Sequence, residues 1–225
     1  AQSEAFGVSA TDMKAIYTTI SEIWSLLEEM APMTFDEAMD EFAAMTKIRL
    51  KEDLFDNLGG EMLVVQDIDA LKEIDLDEVA DNPMAAYAGS VYGLSLSDGA
   101  KFEAALDKMI RSRGMHVGRK SESYANAQIH RMAIAGLVDL EYSINNNLLL
   151  ISIGGAERAS RIIRDIIDTR ANSESQRPEI LNKLANKLPE NWNSISVMNI
   201  GSTLDAVMTG MQTATEANPP LSDIG

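Results

Sequence analysis

The residues with useful chemistry are few and scattered. His116 and His130 are the only histidines, and there is no cysteine. Transition-metal sites gather closely spaced His, Cys or carboxylate ligands on one face, commonly as H-x-x-x-H. Here the two histidines stand 14 residues apart, with Arg113, Arg119, Lys120 and Arg131 around them, and those cations would repel a metal. Surface histidines are the expectation, and no metal ligand is assigned. Nucleophile motifs are missing too. Gly93-Leu94-Ser95-Leu96-Ser97 departs from G-x-S-x-G at its last position. A Ser–His site would need the fold to carry a serine to His116 or His130, so no catalytic residue is assigned.

Carboxylates are plentiful. Asp67, Asp69, Glu73, Asp75, Asp77, Glu78 and Asp81 form one dense stretch. An EF-hand loop needs Gly at its sixth position and Glu at its twelfth, and no frame here supplies that glycine. The stretch reads as a solvated acidic face or loop, with no more than non-specific affinity for divalent cations. Thirty-five acidic side chains offer many pairs for glycoside hydrolysis, but sequence spacing gives no distance in space. Aromatic residues make up 5% of the chain, thin for a carbohydrate cleft. Gly154-Gly155-Ala156-Glu157-Arg158 occupies an expected strand-to-helix turn, a place where phosphates bind. Neither G-x-G-x-x-G nor the Gly-Lys-Ser/Thr of a P-loop is present, and Glu157 would face the anion. It reads as a tight turn, and no cofactor is implied.

The cations are more organised. Arg111, Arg113, Arg119 and Lys120 share one stretch, and Arg158, Arg161 and Arg164 recur every three residues along an expected helix. The whole chain carries 19 basic and 35 acidic side chains, net −16, which argues against nucleic acid or an anionic membrane as the target. The imbalance is uneven. Residues 1–81 hold 20 acidic and 5 basic side chains, whereas residues 82–225 hold 15 and 14. The seven cations therefore read as a partner surface. It faces the acidic first third of this molecule or of a neighbour, or else another protein. Such pairing sets orientation and association rate more than stability. No apolar run reaches the roughly 18 residues of a membrane helix, so no membrane insertion is expected.

The elements that must position these residues follow from apolar spacing. Ile16, Ile20, Ile23, Trp24, Leu27 and Met30 mark one helix face, capped by Ser9 or Thr11 and ended by Pro32. Thr34-Phe35-Asp36-Glu37 is a capping box opening a second helix with Phe35, Ala38, Met39, Phe42 and Met45 inward. Together they predict an acidic helical hairpin. A short turn of helix over Asp53–Leu58 would end at Gly59 in the left-handed region. Strands are expected over 61–66, 90–96, 125–132, 137–144, 148–153 and 194–200. A three-residue loop, Asn145-Asn146-Asn147, joins the fourth and fifth. Helices are expected after Ser97 or Asp98, after Gly155, from Pro178 and after Gly201. The predicted class is α+β, a mainly antiparallel sheet with helices packed on one face. The domains are an acidic helical segment at 1–59, a sheet domain at 60–213 and a linker-like tail at 214–225.

Three segments carry a resemblance: Asp53-Leu-Phe-Asp-Asn-Leu-Gly-Gly-Glu61 before a strand, Leu94-Ser-Leu-Ser-Asp98 before a helix at Lys101-Phe102, and the hairpin entering Ile153-Gly-Gly155. Over about residues 48–210 the chain resembles a group of large exported bacterial proteins of unknown function. The resemblance implies an extracytoplasmic setting, in the periplasm or cell envelope, and no known activity. The small polar start and the cysteine-free composition fit an exported chain cut from a longer one, with a cytoplasmic location as the alternative. The favoured function is a non-catalytic binding, scaffolding or assembly domain that meets a protein partner or itself. The alternative is a carboxylate-dependent hydrolase or sugar-active domain. A small-molecule ligand is not specified by any motif.

Overall fold

The computed structural model describes residues 4–10, 12–27, 33–67, 89–134, 138–153, 157–171 and 193–197, with Gly201, Asp205 and Met208. The strands are β1 (Glu4–Ala10), β2 (Leu58–Asp67), β3 (Ser90–Leu96), β4 (Lys120–Tyr124), β5 (Ala127–Ile134), β6 (Val138–Asn145), β7 (Leu148–Ile153) and β8 (Ser194–Val197). The helices that the argument needs are α1 (Met13–Leu26), α2 (Phe35–Thr46), α3 (Gly99–Ser112) and α4 (Glu157–Ala171). One eight-stranded sheet runs β4-β5-β6-β7-β3-β2-β1-β8, and every ladder in it is antiparallel. The fold is α+β, the class that the pattern predicts. The expected helix from Pro178, the tail 214–225 and all of the acidic stretch except Asp67 lie outside the described residues.

Strand β7 shows how the layers form. Leu149 and Leu150 are adjacent in a strand, so they point to opposite faces. Leu150 packs with Val65, Val91 and Ile129 and with Ala159, Ile162, Ile163 and Ile167 of α4. Leu149 packs with Leu96, Met132 and Tyr142 and with Phe102 and Ile110 of α3. Helices therefore lie on both faces, where the pattern had put them on one. Alternation says that a strand has two faces, not which helix returns to which. A fully buried Ile contributes about 1.5–3 kcal/mol, against about 0–1 for an exposed ion pair. The stripe of α4, not its arginines, holds that helix on the sheet.

Local chemistry sets the joints. Asp98 caps α3, its Oδ1 accepting from the Lys101 N–H at 3.0 Å, and Gly114 stops the helix region at φ 70°. The β6–β7 connection is shorter than expected. Asn145 pairs with Leu148, so the loop is Asn146-Asn147 alone, with φ 47° and 60°. Two positive φ angles match the twist of a tight hairpin, and Asn tolerates them. Gly59 is the second residue of β2, not a helix stop. A Cβ there would lie 2.3 Å from Ser95 Oγ. That hydroxyl accepts from the Glu61 N–H at 2.9 Å and donates to the Glu61 carbonyl at 3.2 Å, where the β2–β3 register shifts.

The first 59 residues are not wholly helical. Glu4–Ala10 is a sheet strand between β2 and β8, with Phe6 opposite Val65 and Val197. Phe6 packs on the α4 side of the core. The expected helical segment thus begins with a strand whose partners are far away in sequence. Ser9, expected as a helix cap, belongs to that ladder, and Asp12 caps α1 instead by accepting from the Ala15 N–H at 3.0 Å. α2 opens on the expected capping box. Thr34 Oγ1 accepts from the Glu37 N–H at 3.3 Å, and Glu37 Oε2 accepts from the Thr34 N–H at 2.9 Å. Phe35 meets Tyr17 edge-on at 5.6 Å and Trp24 at 6.1 Å, and Tyr17 meets Phe55 at 5.2 Å.

Candidate functional site

The seven predicted cations do not form one continuous surface. Arg111 and Arg119 both bind Asp107, at 2.6 and 2.7 Å, and Arg119 also donates to the Tyr142 hydroxyl at 3.2 Å. Arg158 and Arg161 reach the buried Asp67, at 3.7 and 3.3 Å. Arg164 binds Glu122 at 3.1 Å and lies over the Tyr124 ring at 5.4 Å. Arg113 and Lys120 have no ion-pair partner among the described residues. Five of the seven are thus engaged within the sheet unit. None is paired with an acid of α1 or α2. Among the described residues, Asp67 is the acid of the first third that meets this group.

Lys120, Arg131, Glu141 and Ser152 are successive partners across β4, β5, β6 and β7, so they share a face. Above them runs α4, whose residues 157, 160 and 164 stand on one side of the helix. Between strands and helix lies a cleft of about 630 Å³, lined by Lys120, Arg131, Asp139, Glu141, Glu157, Ser160 and Arg164 among others. Glu141 is 2% exposed. Its Oε2 accepts from Arg131 Nε and, at 2.6 Å, from Ser160 Oγ, and Arg131 Nη2 donates to Ser160 Oγ at 3.1 Å. Glu141 Oε1 is buried and has no hydrogen-bond donor among the described residues. The sequence places Arg131 in the basic stretch beside the histidines but does not single it out, and no motif marks Glu141 or Ser160. Polar residues at alternate strand positions, which the helix pattern would then bury, are the signal that was available.

Among the described residues the two buried carboxylates are too far apart to form a glycosidase pair with each other. The buried carboxylates Asp67 and Glu141 stand on β2 and β6, three strand spacings apart, on the order of 14 Å. Glycosidase pairs need about 5–9.5 Å. Among the described residues no aromatic side chain lines the cleft. Among the described residues no group of three or more His, Asp or Glu side chains is placed to hold a metal.

On the opposite face the fold does bring a serine to His130. Ser121 Oγ lies 2.8 Å from His130 Nδ1, and the His130 ring sits 4.8 Å from Tyr142. The three are ladder partners across β4, β5 and β6. His130 is half-buried, not a surface residue. Burial pushes its pKa down, and the Arg119 charge adds to the effect. The hydrogen bond from Arg111 holds the Asp107 carboxyl below the usual range, Arg119 assisting. Asp107 is thus committed to arginines, and among the described residues no carboxylate is hydrogen-bonded to His130. The pair lacks the orienting third group that a Ser–His nucleophile needs. His116 is exposed.

The remaining feature is apolar. α1 is anchored through Tyr17 and Trp24, and Trp24 Nε1 donates to the Met33 carbonyl at 3.2 Å. About a quarter turn away on the same helix lie Ile16, Ile20, Ile23 and Leu27. They are 37%, 43%, 52% and 46% exposed, and Leu26 is 82% exposed. The sequence predicts that stripe as a buried face, and the structure turns it to solvent. Every charged residue of α2 is acidic: Asp36, Glu37, Asp40 and Glu41. Between residues 12 and 46 the chain has eight acidic side chains and one lysine.

Comparison with protein-family models, with curated proteins and with solved structures finds no match for this chain. Among the described residues no helix is long and apolar enough to cross a membrane.

Proposed function

We propose that this chain is a non-catalytic binding and assembly domain of an exported bacterial protein, and that α1 docks a basic amphipathic helix of a partner protein. One observation carries the reading. α1 is pinned by its aromatic side and leaves a regularly spaced aliphatic stripe in solvent. Aliphatic anchors at i, i+4 and i+7 are the grip of helix-on-helix recognition. The acidic side chains of the neighbouring α2, Asp36, Glu37, Asp40 and Glu41, favour a partner with basic flanks and speed its approach. The resemblance over residues 48–210 and the cysteine-free composition support an extracytoplasmic setting.

The probe is a fluorescein-labelled Leu/Lys amphipathic helix, titrated against the full chain by fluorescence anisotropy at low salt. Saturable binding is expected, weakened by about tenfold or more in the Ile20→Asp, Ile23→Asp double variant. Both positions are exposed, so the variant keeps the fold. A scrambled peptide of the same charge should bind no better than the double variant allows. Equal binding by the double variant overturns the reading.

A further inference from the structure

We infer that the cleft between α4 and the β4–β5–β6 end of the sheet binds a small zwitterion, its oxyanion on Arg131 and Lys120 and its ammonium towards Asp139 and Glu157. This inference rests on a different surface from the α1 docking face and stands or falls separately.

The oxyanion end comes from two facts. Arg131 uses Nε–H and one Nη2 proton on Glu141 and Ser160. That leaves the Nη1/Nη2 end of a fixed guanidinium fork, on a side chain 49% exposed at the cleft. A fork already held in place loses little freedom when it takes a carboxylate or phosphate in two-point contact. Lys120 is the direct ladder partner of Arg131 and lacks a carboxylate of its own among the described residues. Like charges directly opposite in a ladder destabilise it. Glu141 offsets only one of the two, and an anion bridging Lys120 and Arg131 offsets the other.

The ammonium end rests on Asp139 and Glu157. Glu141 Oε1 is buried and receives no hydrogen bond among the described residues. Its charge lies beneath the cleft floor and adds to the negative potential that two exposed carboxylates bring to one end of the cleft. Asp139 lies two residues from Glu141 on β6, on the same face, about 7 Å along the strand. Glu157 stands at the start of α4, on the same side of the helix as Ser160. Both line the cleft, and neither is ion-paired among the described residues. The cleft therefore runs from Arg164, Lys120 and Arg131 to Asp139 and Glu157. A ligand charged oppositely at its two ends, separated by about one dipeptide length, matches that order. The volume, about 630 Å³, lies within the range of small-molecule sites.

The probes are glycylglycine, its N-acetyl form and its C-terminal amide, titrated against the full chain and followed by the β4–β6 amide resonances in two-dimensional NMR. Glycylglycine is expected to shift the Lys120, Arg131 and Glu141 amides saturably. Either capped form should bind about tenfold more weakly or worse. Lys120→Ala and Asp139→Asn, both at exposed positions, should each weaken binding of glycylglycine to a similar degree and leave the spectrum otherwise folded. No saturable shift in the cleft overturns the inference. So does an N-acetyl form that binds as well as the zwitterion, because the acidic end then plays no part. Binding insensitive to both substitutions places the ligand elsewhere and overturns it as well.

Discussion

Lys120 and Arg131 stand opposite each other in the β4–β5 ladder, and of the two only Arg131 has a buried carboxylate as its next ladder partner. The asymmetry continues within the Arg131–Glu141 pair. Arg131 is 49% exposed and Glu141 2%.

Truncating the two sides of that pair should therefore differ. Arg131→Ala leaves the buried Glu141 without its cation and with only Ser160 donating to it among the described residues, and is expected to cost about 3–5 kcal/mol. Glu141→Ala leaves an arginine that can turn to water and a single orphaned serine hydroxyl. The expected cost is about 1–3 kcal/mol. Urea unfolding of both variants measures the difference, and equal losses would show that Glu141 is not desolvated.

A second contrast separates the core from the docking face. Ile163 is fully buried on the sheet-facing side of α4, and Ile163→Ala is expected to cost about 2–5 kcal/mol. Ile23 is 52% exposed on α1, and Ile23→Ala is expected to stay within about 0.5 kcal/mol. A loss at Ile23 as large as at Ile163 would mean that the stripe packs within the molecule.

How much of this was legible varies by element. The capping box at Thr34, the Asp98 cap and the β6–β7 hairpin are local signals, and the structure has them where the residues put them. β4 reads Lys-Ser-Glu-Ser-Tyr, with nothing apolar to mark it, because it is an edge strand. β1 is short and partly Gly and Ser, and its partners begin at residue 58 and residue 194. The Arg161–Asp67 pair closes over 94 residues, a distance that no local motif encodes. Charge counting found the acidic first third and the cations. It could not foresee that most of those cations pair within the sheet unit.

The hairpin turn offers a third test. Asn146 and Asn147 both have positive φ, but only Asn147 also accepts the Gly99 N–H through Oδ1, at 3.0 Å. Asn146→Gly relieves backbone strain alone and is expected to be neutral or stabilising by up to about 1 kcal/mol. Asn147→Gly also removes the link to the start of α3, and should destabilise by about 0.5–1.5 kcal/mol relative to Asn146→Gly. Thermal unfolding of the two variants decides, and the reverse order would contradict the link.

His130 gives a pH dependence with a defined sign. Its folded pKa is depressed by burial and by Arg119, so the folded protein binds fewer protons than the unfolded chain. Its contribution is whole above about pH 6.5 and is lost as pH falls from there through the folded value. His130→Asn should therefore show a shallower loss of urea midpoint between about pH 7.5 and 5.5 than the unsubstituted protein. Asp107, held low chiefly by Arg111, adds its own loss at more acid pH, beginning in the usual carboxylate range and continuing down through its lowered folded value. Identical slopes for His130→Asn and the parent would contradict the burial of that ring.

The most direct test of the docking face is amide hydrogen exchange along α1 and α2, with and without saturating Leu/Lys helix. Added protection is expected in residues 13–26, weaker protection in 35–46, and no change along β4 and β5. Protection confined to the segment from Arg111 to Lys120, or no change in α1 at saturation, would contradict the assignment of α1 as the partner surface.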